Sequence, residues 1–246
     1  MIVSAHQPAY LPWLGLFDKI ARSDAFCILD TAQFSSGDFI NRNRLKSPRG
    51  AIWLTVPVHA KNHMPICDVR IRGDGWRRKH LATLEHCYFK APFFHRYAPE
   101  IAVVLERSHA SLRELTVELL RVLLAQLGIG TRLVFASDYD FAGKKSEYLL
   151  NMCRGLGATA YISGVRGRNY LDAAAFFAEG IGVEFQNYRH PVYRQRFGAF
   201  VPNLSVLDLL FNVGPRSLDV LLGAGSPEGE NAMPRLVGDA DPSGVR

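Results

Sequence analysis

Short apolar runs alternate with helical patterns along most of the chain. Residues 2–5 and 25–30 are mostly apolar and predict strands, and residues 12–22 between them have helical spacing with a proline in the first turn. Further strands are predicted at residues 51–58 and in the stretches TRLVFAS, ATAYISG and VEFQNY. This alternation predicts an α/β fold, with right-handed βαβ units, a mostly parallel sheet and flanking helices in a Rossmann-like layout.

A helical segment interrupts the alternation at about residues 75–127. Its clearest helix follows Ser111, which fits a capping box with Glu114 before a run of leucines at helical spacing. A later helix is predicted at about residues 143–156, and two short helices are predicted after Ser205. We interpret these helices as scaffold.

One domain accounts for residues 1–222, with the helical segment as an insertion. From residue 223 to residue 246 the composition changes to glycine, proline and acidic residues without an apolar period. Such a composition cannot bury enough apolar area to offset the entropy of ordering, so this tail is predicted to be disordered.

Charge and cysteine spacing narrow the class of protein. The 29 Lys and Arg against 23 Asp and Glu give a net charge of +6, which favours an anionic partner such as a phosphate, a nucleotide or a nucleic acid. The four cysteines are far apart without a CxxC pair, which predicts reduced thiols and no metal site. No run reaches the roughly 18 apolar residues of a membrane span, and the N-terminus lacks a signal-peptide pattern, so we expect a cytoplasmic protein.

Polar residues follow the first two predicted strands. His6 and Gln7 come directly after the first strand, and Asp30 and Gln33 follow the second. Ligands of open parallel sheets bind beyond the carboxyl ends of the strands. An imidazole there can exchange a proton near neutral pH or hydrogen-bond a phosphate, and the alternative is a histidine that ties the loop to the backbone.

Two basic stretches are further candidates. In NRNRLK, Arg42, Arg44 and Lys46 would share one face of an extended segment, which suits a phosphate or carboxylate. The alternative is a solvated edge strand protected by charge. In WRRKH, Lys79 and His80 fall on the same helical face as the preceding tryptophan, and the alternative there is a plain surface helix.

The stretch SGVRGRNYLD lies between an apolar strand and a helix. Ser163 and Gly164, with Arg166 nearby, are similar to an anion-binding nest at a helix N-terminus. The complete P-loop and dinucleotide-binding patterns are absent. Near the end of the chain, Asp208 in an apolar helix is either turned outward or buried with a partner such as an arginine or His190, and we interpret it as structural.

Seven stretches together resemble the WbqC-like family of bacteria, over about residues 2–222. They are HQPAYLPWLGLFDKI, LDTAQFSSGDFINRNRLK, WLTVPV, KHLATLEHCYFKAPFF, YISGVRGRNYLD, HPVY and LSVLDLLFNVG. The resemblance implies a link to gene clusters for O-antigen and other surface polysaccharides, and a glycine- or aminoacyl-transferring role. Gly37 departs from the family pattern, where a basic residue is expected before NRN. By layout alone the chain also resembles the nucleotidylyl transferase-like superfamily, although it has no HxGH motif.

The resemblance and the residue patterns give one set of candidate site residues. The candidate catalytic residues are His6, Gln7 and Asp30. The candidate substrate-binding residues are Gln33, Asn41, Arg42, Asn43, Lys79, His80, Ser163, Gly164, Arg166, Tyr170, His190 and Tyr193. No cofactor is assigned.

Three functions remain open on these residues. The first is a transferase that joins an anionic acyl or aminoacyl donor to an amine acceptor such as an amino sugar, with His6 as general base. In that scheme Arg42, Lys79 and Arg166 hold the donor. The second is an ATP-dependent ligase or nucleotidylyl transferase, and the third is a non-catalytic module for RNA or aminoacyl-tRNA.

Overall fold

A computed structural model describes residues 1–61 and 63–223. The tail predicted at residues 223–246 therefore lies outside the described residues, apart from Gly223. The described strands are β1 (Ile2–His6), β2 (Ala25–Ile28), β3 (Arg42–Ser47), β4 (Gly50–Thr55), β5 (Val58–His59), β6 (Arg70–Ile71), β7 (Arg132–Phe135), β8 (Ala160–Ser163) and β9 (Gly182–Phe185). The described α-helices are α1 (Leu14–Ala21), α2 (Gly75–Tyr88), α3 (Phe94–Glu106), α4 (Leu112–Leu127), α5 (Ser146–Leu156), α6 (Ala173–Ala178), α7 (Val206–Val213) and α8 (Ser217–Leu221).

Five strands form a sheet in the order β7-β2-β1-β8-β9, and every neighbouring pair is parallel. This arrangement confirms the predicted α/β fold. The chain first builds outward from β1 to β2 and β7, and then returns past β1 to add β8 and β9. The order of the strands therefore reverses between β1 and β8.

Helices cover both faces of this sheet, which explains why its strands are apolar on both sides. Phe26 and Ile28 of β2 face the larger core, together with α1 and α4. Val3, Ala5 and Cys27 face the opposite core, which contains the buried side chains of α5 and α6. The polar side chains that follow the strands are thus held at the carboxyl edge of a rigid layer.

The predicted helical segment is confirmed as α2, α3 and α4. Ser111 caps α4 with the expected box, since its hydroxyl accepts a hydrogen bond from the Glu114 N–H at 3.1 Å while the Glu114 carboxylate bonds back to the Ser111 N–H. No helix in the described part of the chain is long and apolar enough to cross a bilayer.

An antiparallel hairpin of β3 and β4 packs against the loop that follows β1. The Asn43 amide, which is 1% exposed, donates to the Leu11 carbonyl at 2.7 Å and its oxygen accepts from the Arg44 N–H. Leu11 has a φ of 44°, a left-handed conformation that needs external support in a residue other than glycine. Asn43 thus fixes a strained point of the loop.

Two predicted elements have different bounds in the structure. Helix α1 begins at Leu14 and not at residue 12, because Trp13 is extended and pairs with Ser205 as an isolated bridge. The strand predicted at residues 51–58 is two strands, β4 and β5. They separate before Pro57, where the ring removes the N–H that a continuing ladder would need.

Replacing Asn43 by alanine should lower the free energy of unfolding by about 1–3 kcal/mol, because the buried Leu11 carbonyl and the partly buried Arg44 N–H lose their partner. Urea unfolding of the purified variant measures this change. The control is Arg49→Ala in the exposed turn of the same hairpin, which should change the free energy by less than about 0.5 kcal/mol. Equal stability of both variants would show that the loop does not depend on Asn43.

Candidate functional site

The reversal of strand order places a crevice at the carboxyl ends of β1 and β8. His6 and Gln7 lie at the end of β1, and Ser163 and Gly164 lie at the end of β8. In open α/β sheets, ligands bind at this reversal point, because the loops on its two sides turn to opposite faces of the sheet. The crevice is therefore the candidate site.

His6 holds a defined tautomer at this edge. Its Nδ1 lies 2.8 Å from the Gln7 carbonyl oxygen, which can only accept, so Nδ1 carries the proton. In the neutral ring Nε2 then has a free lone pair. The residue is exposed at the end of β1, so Nε2 is open to solvent at the carboxyl edge of the sheet.

The surroundings of His6 keep its ring neutral. Desolvation is the larger cause and the positive charge of Lys19 the smaller, and together they lower the pKa of His6 to about 4. The hydrogen bond to Gln7 acts in the opposite direction. At neutral pH His6 is accordingly a proton acceptor at Nε2.

Lys19 is a functional candidate that the sequence reasoning missed. It is 3% exposed, its ammonium donates to the Ala5 carbonyl at 2.7 Å, and burial lowers its pKa to about 8. The neighbouring Asp18 carboxylate accepts a hydrogen bond at 2.6 Å from the side-chain amide of Gln186, which follows β9, and not from Lys19. The available signal was a pair of charged residues inside the apolar helix LGLFDKIA.

The loop after β8 packs tightly against the strand. Ser163 is 1% exposed and donates to the Gly164 carbonyl at 3.1 Å. A Cβ on Gly167 would lie 1.9 Å from the Ser163 hydroxyl, so only glycine fits at residue 167. Arg166 and Tyr170 of the same loop are exposed. The two residues thus lie in the loop that borders the crevice.

Asp30 is fully buried, and three groups of two residues contact its carboxylate. Its carboxylate accepts from the Ser137 N–H at 3.0 Å and from the Ser137 hydroxyl at 2.8 Å. The Arg113 Nε on α4 lies 2.5 Å from Oδ2, an ion pair in which the N–H is not well aimed at the oxygen. These contacts join β2, α4 and the turn after β7, which gives Asp30 a structural role at the edge of the sheet.

The candidate residues on and near the β3–β4 hairpin lie on elements that do not form the crevice. Asn41 donates to the Val56 carbonyl at 2.8 Å, so its amide, like that of Asn43, serves the main chain. Arg42 of β3 is the direct cross-strand partner of Thr55 on β4. Lys79 of α2 lines a groove together with Thr55. Arg166 lies on the loop after β8, so the three cations predicted to share one anion are on three different elements.

His80 is buried beneath that groove. Its Nδ1 lies 2.8 Å from the Tyr10 hydroxyl, and desolvation lowers the pKa of His80 to about 4, against a hydrogen bond to the Thr55 main chain that raises it. Gln33 is exposed, and its side-chain oxygen bonds His63 at 2.9 Å. The first contact joins the loop after β1 to α2, and the second joins the loop after β2 to the loop after β5.

His190 and Tyr193 lie in the irregular segment between β9 and α7. Their rings stack with centroids 6.2 Å apart, and the Tyr193 hydroxyl donates to Asp208 at 2.9 Å. The Tyr88 hydroxyl donates to the other oxygen of Asp208 at 2.9 Å. Asp208 is therefore buried as one alternative predicted, but its hydrogen-bond partners are two tyrosines and not an arginine or His190. The positive charge of the buried Lys46 also lies close enough to act on this carboxylate.

No three His, Cys, Asp or Glu side chains in residues 1–61 and 63–223 lie close enough to hold a metal ion. The sequence model of the WbqC-like protein family matches residues 7–220. The uncharacterized protein Rv1507c of Mycobacterium tuberculosis (strain ATCC 25618 / H37Rv) is 40% identical over 225 residues, which cover 89% of this chain and 96% of that protein. No solved structure matches the chain significantly.

Replacing Asp30 by asparagine should lower the free energy of unfolding by about 2–3 kcal/mol, less than for a fully buried ion pair because Arg113 is partly exposed. Urea unfolding measures the loss. Asp140→Asn, at an exposed carboxylate, is the matched control and should be neutral within about 0.5 kcal/mol. An unchanged free energy of unfolding in Asp30→Asn would show that the fold does not depend on the Asp30 carboxylate.

Proposed function

This chain belongs to the WbqC-like protein family, and we propose that it is a transferase that moves an acyl or aminoacyl group from an anionic donor to an amine acceptor. The proposed acceptor is an amino sugar or a related small molecule of surface polysaccharide or secondary metabolite biosynthesis. The donor carries phosphate.

The observation that carries this proposal is the tautomer of His6. A neutral imidazole with its proton on Nδ1 and a lone pair on Nε2 is the form that a general base requires. The crevice at the reversal of strand order gives that lone pair access to a substrate. Lys19 supports the same role, because its buried positive charge opposes protonation of the ring before substrate arrives.

In the proposed reaction the amine nitrogen attacks the carbonyl carbon of the donor. As the new C–N bond forms, the proton of the amine passes to Nε2 of His6. The bond between the acyl carbon and its leaving group then breaks, and the leaving group takes the proton from the imidazolium. The carbonyl oxygen carries negative charge between these steps, and main-chain N–H groups near Gly164 are the proposed donors to it.

Cations on one side of the crevice support an anionic donor. Lys144 and Lys145 precede α5, and Arg166 follows β8. The Asp172 N–H donates to the Ser146 hydroxyl at 2.8 Å, so the start of α5 and the loop after β8 are joined. We assign the phosphate of the donor to this side of the crevice.

The same joined loops favour a second candidate, an ATP-dependent ligase or nucleotidylyl transferase. A lysine pair directly before an α-helix is suited to a nucleotide phosphate. Release of AMP or pyrophosphate during turnover would support this candidate. Turnover from a preformed acyl or aminoacyl donor without ATP supports the transferase.

His6→Gln should lower turnover by about 100-fold or more, because an amide can hydrogen-bond but cannot accept the proton. The melting temperature and the affinity for the donor should stay close to those of the parent protein. Steady-state kinetics and thermal unfolding of the same preparations measure both quantities. Retention of most of the turnover would make His6 a loop-tying residue and move the search for the base to His80 or His190.

With the ionisation of the free acceptor amine divided out, kcat/KM should stay nearly constant from about pH 8 to about pH 5 and fall below it, because the low pKa of His6 keeps Nε2 unprotonated over that range. Lys19→Met removes the positive charge that opposes protonation, so the pKa of His6 rises and the acid limb moves to higher pH. The pH profile of kcat/KM in both proteins measures the shift. An unchanged acid limb would show that the charge of Lys19 does not affect the pKa of His6.

A further inference from the structure

The outer face of the β3–β4 hairpin carries cations beside an exposed tryptophan. Arg44 pairs directly with Trp53, and Arg42 pairs with Thr55, so all four side chains are on one face of the hairpin. The alternate residues Asn43, Leu45 and Leu54 face the core and are buried. The hairpin thus separates an apolar inner face from a basic, aromatic outer face.

The outer face is organised by stacking. The Arg42 guanidinium lies 4.3 Å from the centroid of the Trp53 ring, and the Arg44 guanidinium lies 5.8 Å from it. Phe39 packs on the same tryptophan with centroids 5.6 Å apart, and it is 43% exposed while Trp53 is 45% exposed. Main-chain carbonyls of Gly37 and Asn203 accept from the two guanidinium groups and hold them in place.

This face continues into a groove beside α2. Thr55 lines the groove together with Arg72, Trp76 and Lys79, and the buried His80 lies at its base. The groove therefore adds two cations, Arg72 and Lys79, to the outer face of the hairpin, and the buried Trp76 forms part of its wall.

None of these four cations has a carboxylate within 4.0 Å in the described part of the chain. The one acidic side chain of the groove, Asp74, is paired with Arg77. Arg42, Arg44, Arg72 and Lys79 consequently present positive charge that the described protein does not neutralise. A surface of this composition is complementary to an extended polyanion.

We propose that the outer face of the hairpin and the adjoining groove bind single-stranded nucleic acid. Successive residues on one face of a strand are about 7 Å apart, so Arg44, Arg42 and the groove cations form a track for a phosphate backbone. Phe39, Trp53 and the outward plane of the Arg42 guanidinium offer surfaces on which bases stack. Guanidinium groups also bind phosphate through two hydrogen bonds.

A base-bearing polyanion fits this surface better than an anionic membrane does. Stacking against Arg42 and Phe39 holds Trp53 along the surface of the hairpin. A membrane anchor would need apolar side chains free to enter the lipid. This inference concerns a surface separate from His6 and does not depend on the proposed reaction.

Fluorescence anisotropy with a short fluorescein-labelled oligouridylate tests the proposal on the full chain. The parent protein should bind, and Arg42→Ala/Arg44→Ala should weaken binding at least about 10-fold and lower the slope of log K against log salt by about 1.4, as expected for two lost phosphate contacts. Trp53→Ala should weaken binding about 10-fold and leave that slope unchanged, because it removes stacking and no charge.

The matched control is Arg96→Ala/Arg121→Ala, which removes two exposed arginines that also lie over aromatic rings, on α3 and α4. This variant should bind within about 2-fold of the parent protein, because its two arginines lie outside the proposed surface. Melting temperatures establish that every variant is folded.

Four results would overturn the proposal: no binding by the parent protein, equal weakening in the control, insensitivity to Trp53→Ala, or binding to phosphatidylglycerol vesicles without binding to the oligouridylate. Inorganic polyphosphate carries phosphates without bases. It should therefore compete only weakly with the oligouridylate. His6→Gln should bind the oligouridylate like the parent protein, so a failure here is distinguishable from a failure of the proposed transferase.

Discussion

The main-chain groups of residues 7–13 need hydrogen-bond partners that neither a helix nor a strand of their own supplies. Two prolines and the left-handed Leu11 keep this loop out of regular structure. Other elements satisfy it: the Gln7 carbonyl accepts from His6, the Tyr10 N–H donates to the Phe39 carbonyl at 3.2 Å, and the Leu11 carbonyl accepts from Asn43. The loop thereby joins the carboxyl edge of the sheet to the hairpin.

This constraint explains why polar residues far apart in the sequence have such different roles. The hydrogen bond to the loop fixes the tautomer of His6 and leaves Nε2 free at the crevice. The same loop occupies the inward-facing Asn43, and Lys46 is buried and donates to Gln195, so Arg42 and Arg44 are the cations of β3 that remain available to a partner. A single irregular segment therefore organises a crevice suited to proton transfer and a separate basic surface.

The sequence predicts the parts of the fold that depend on local pattern. The apolar runs predict the parallel sheet, and Ser111 with Glu114 predicts the start of α4, because both signals lie within a few residues. The end of β1 also predicts where His6 lies, since carboxyl ends of parallel strands meet at one edge. The family resemblance, carried by motifs spread over most of the chain, is likewise confirmed by the match to residues 7–220.

The rest depends on contacts between distant residues, which periodicity does not contain. Asp30 finds Arg113 and Ser137, and Asp208 finds Tyr88 and Tyr193, only after the chain has folded. The burial of Lys19 cannot be predicted for the same reason. A lysine in an apolar helix is buried or exposed according to which elements pack on that helix. Nothing in the spacing of NRNRLK distinguishes an amide that binds substrate from one that holds the main chain.

The protonation state of His6 tests the proposed chemistry most directly, because general-base catalysis at this residue needs a neutral ring with a free Nε2. Nitrogen-15 NMR of histidine-labelled protein, assigned with His6→Gln, measures both the tautomer and the pKa. The proposed chemistry requires a ring that carries its proton on Nδ1 and titrates well below the ordinary histidine value, near the pKa of about 4. A ring protonated on Nε2, or one that titrates at the ordinary value of about 6.5, would contradict it.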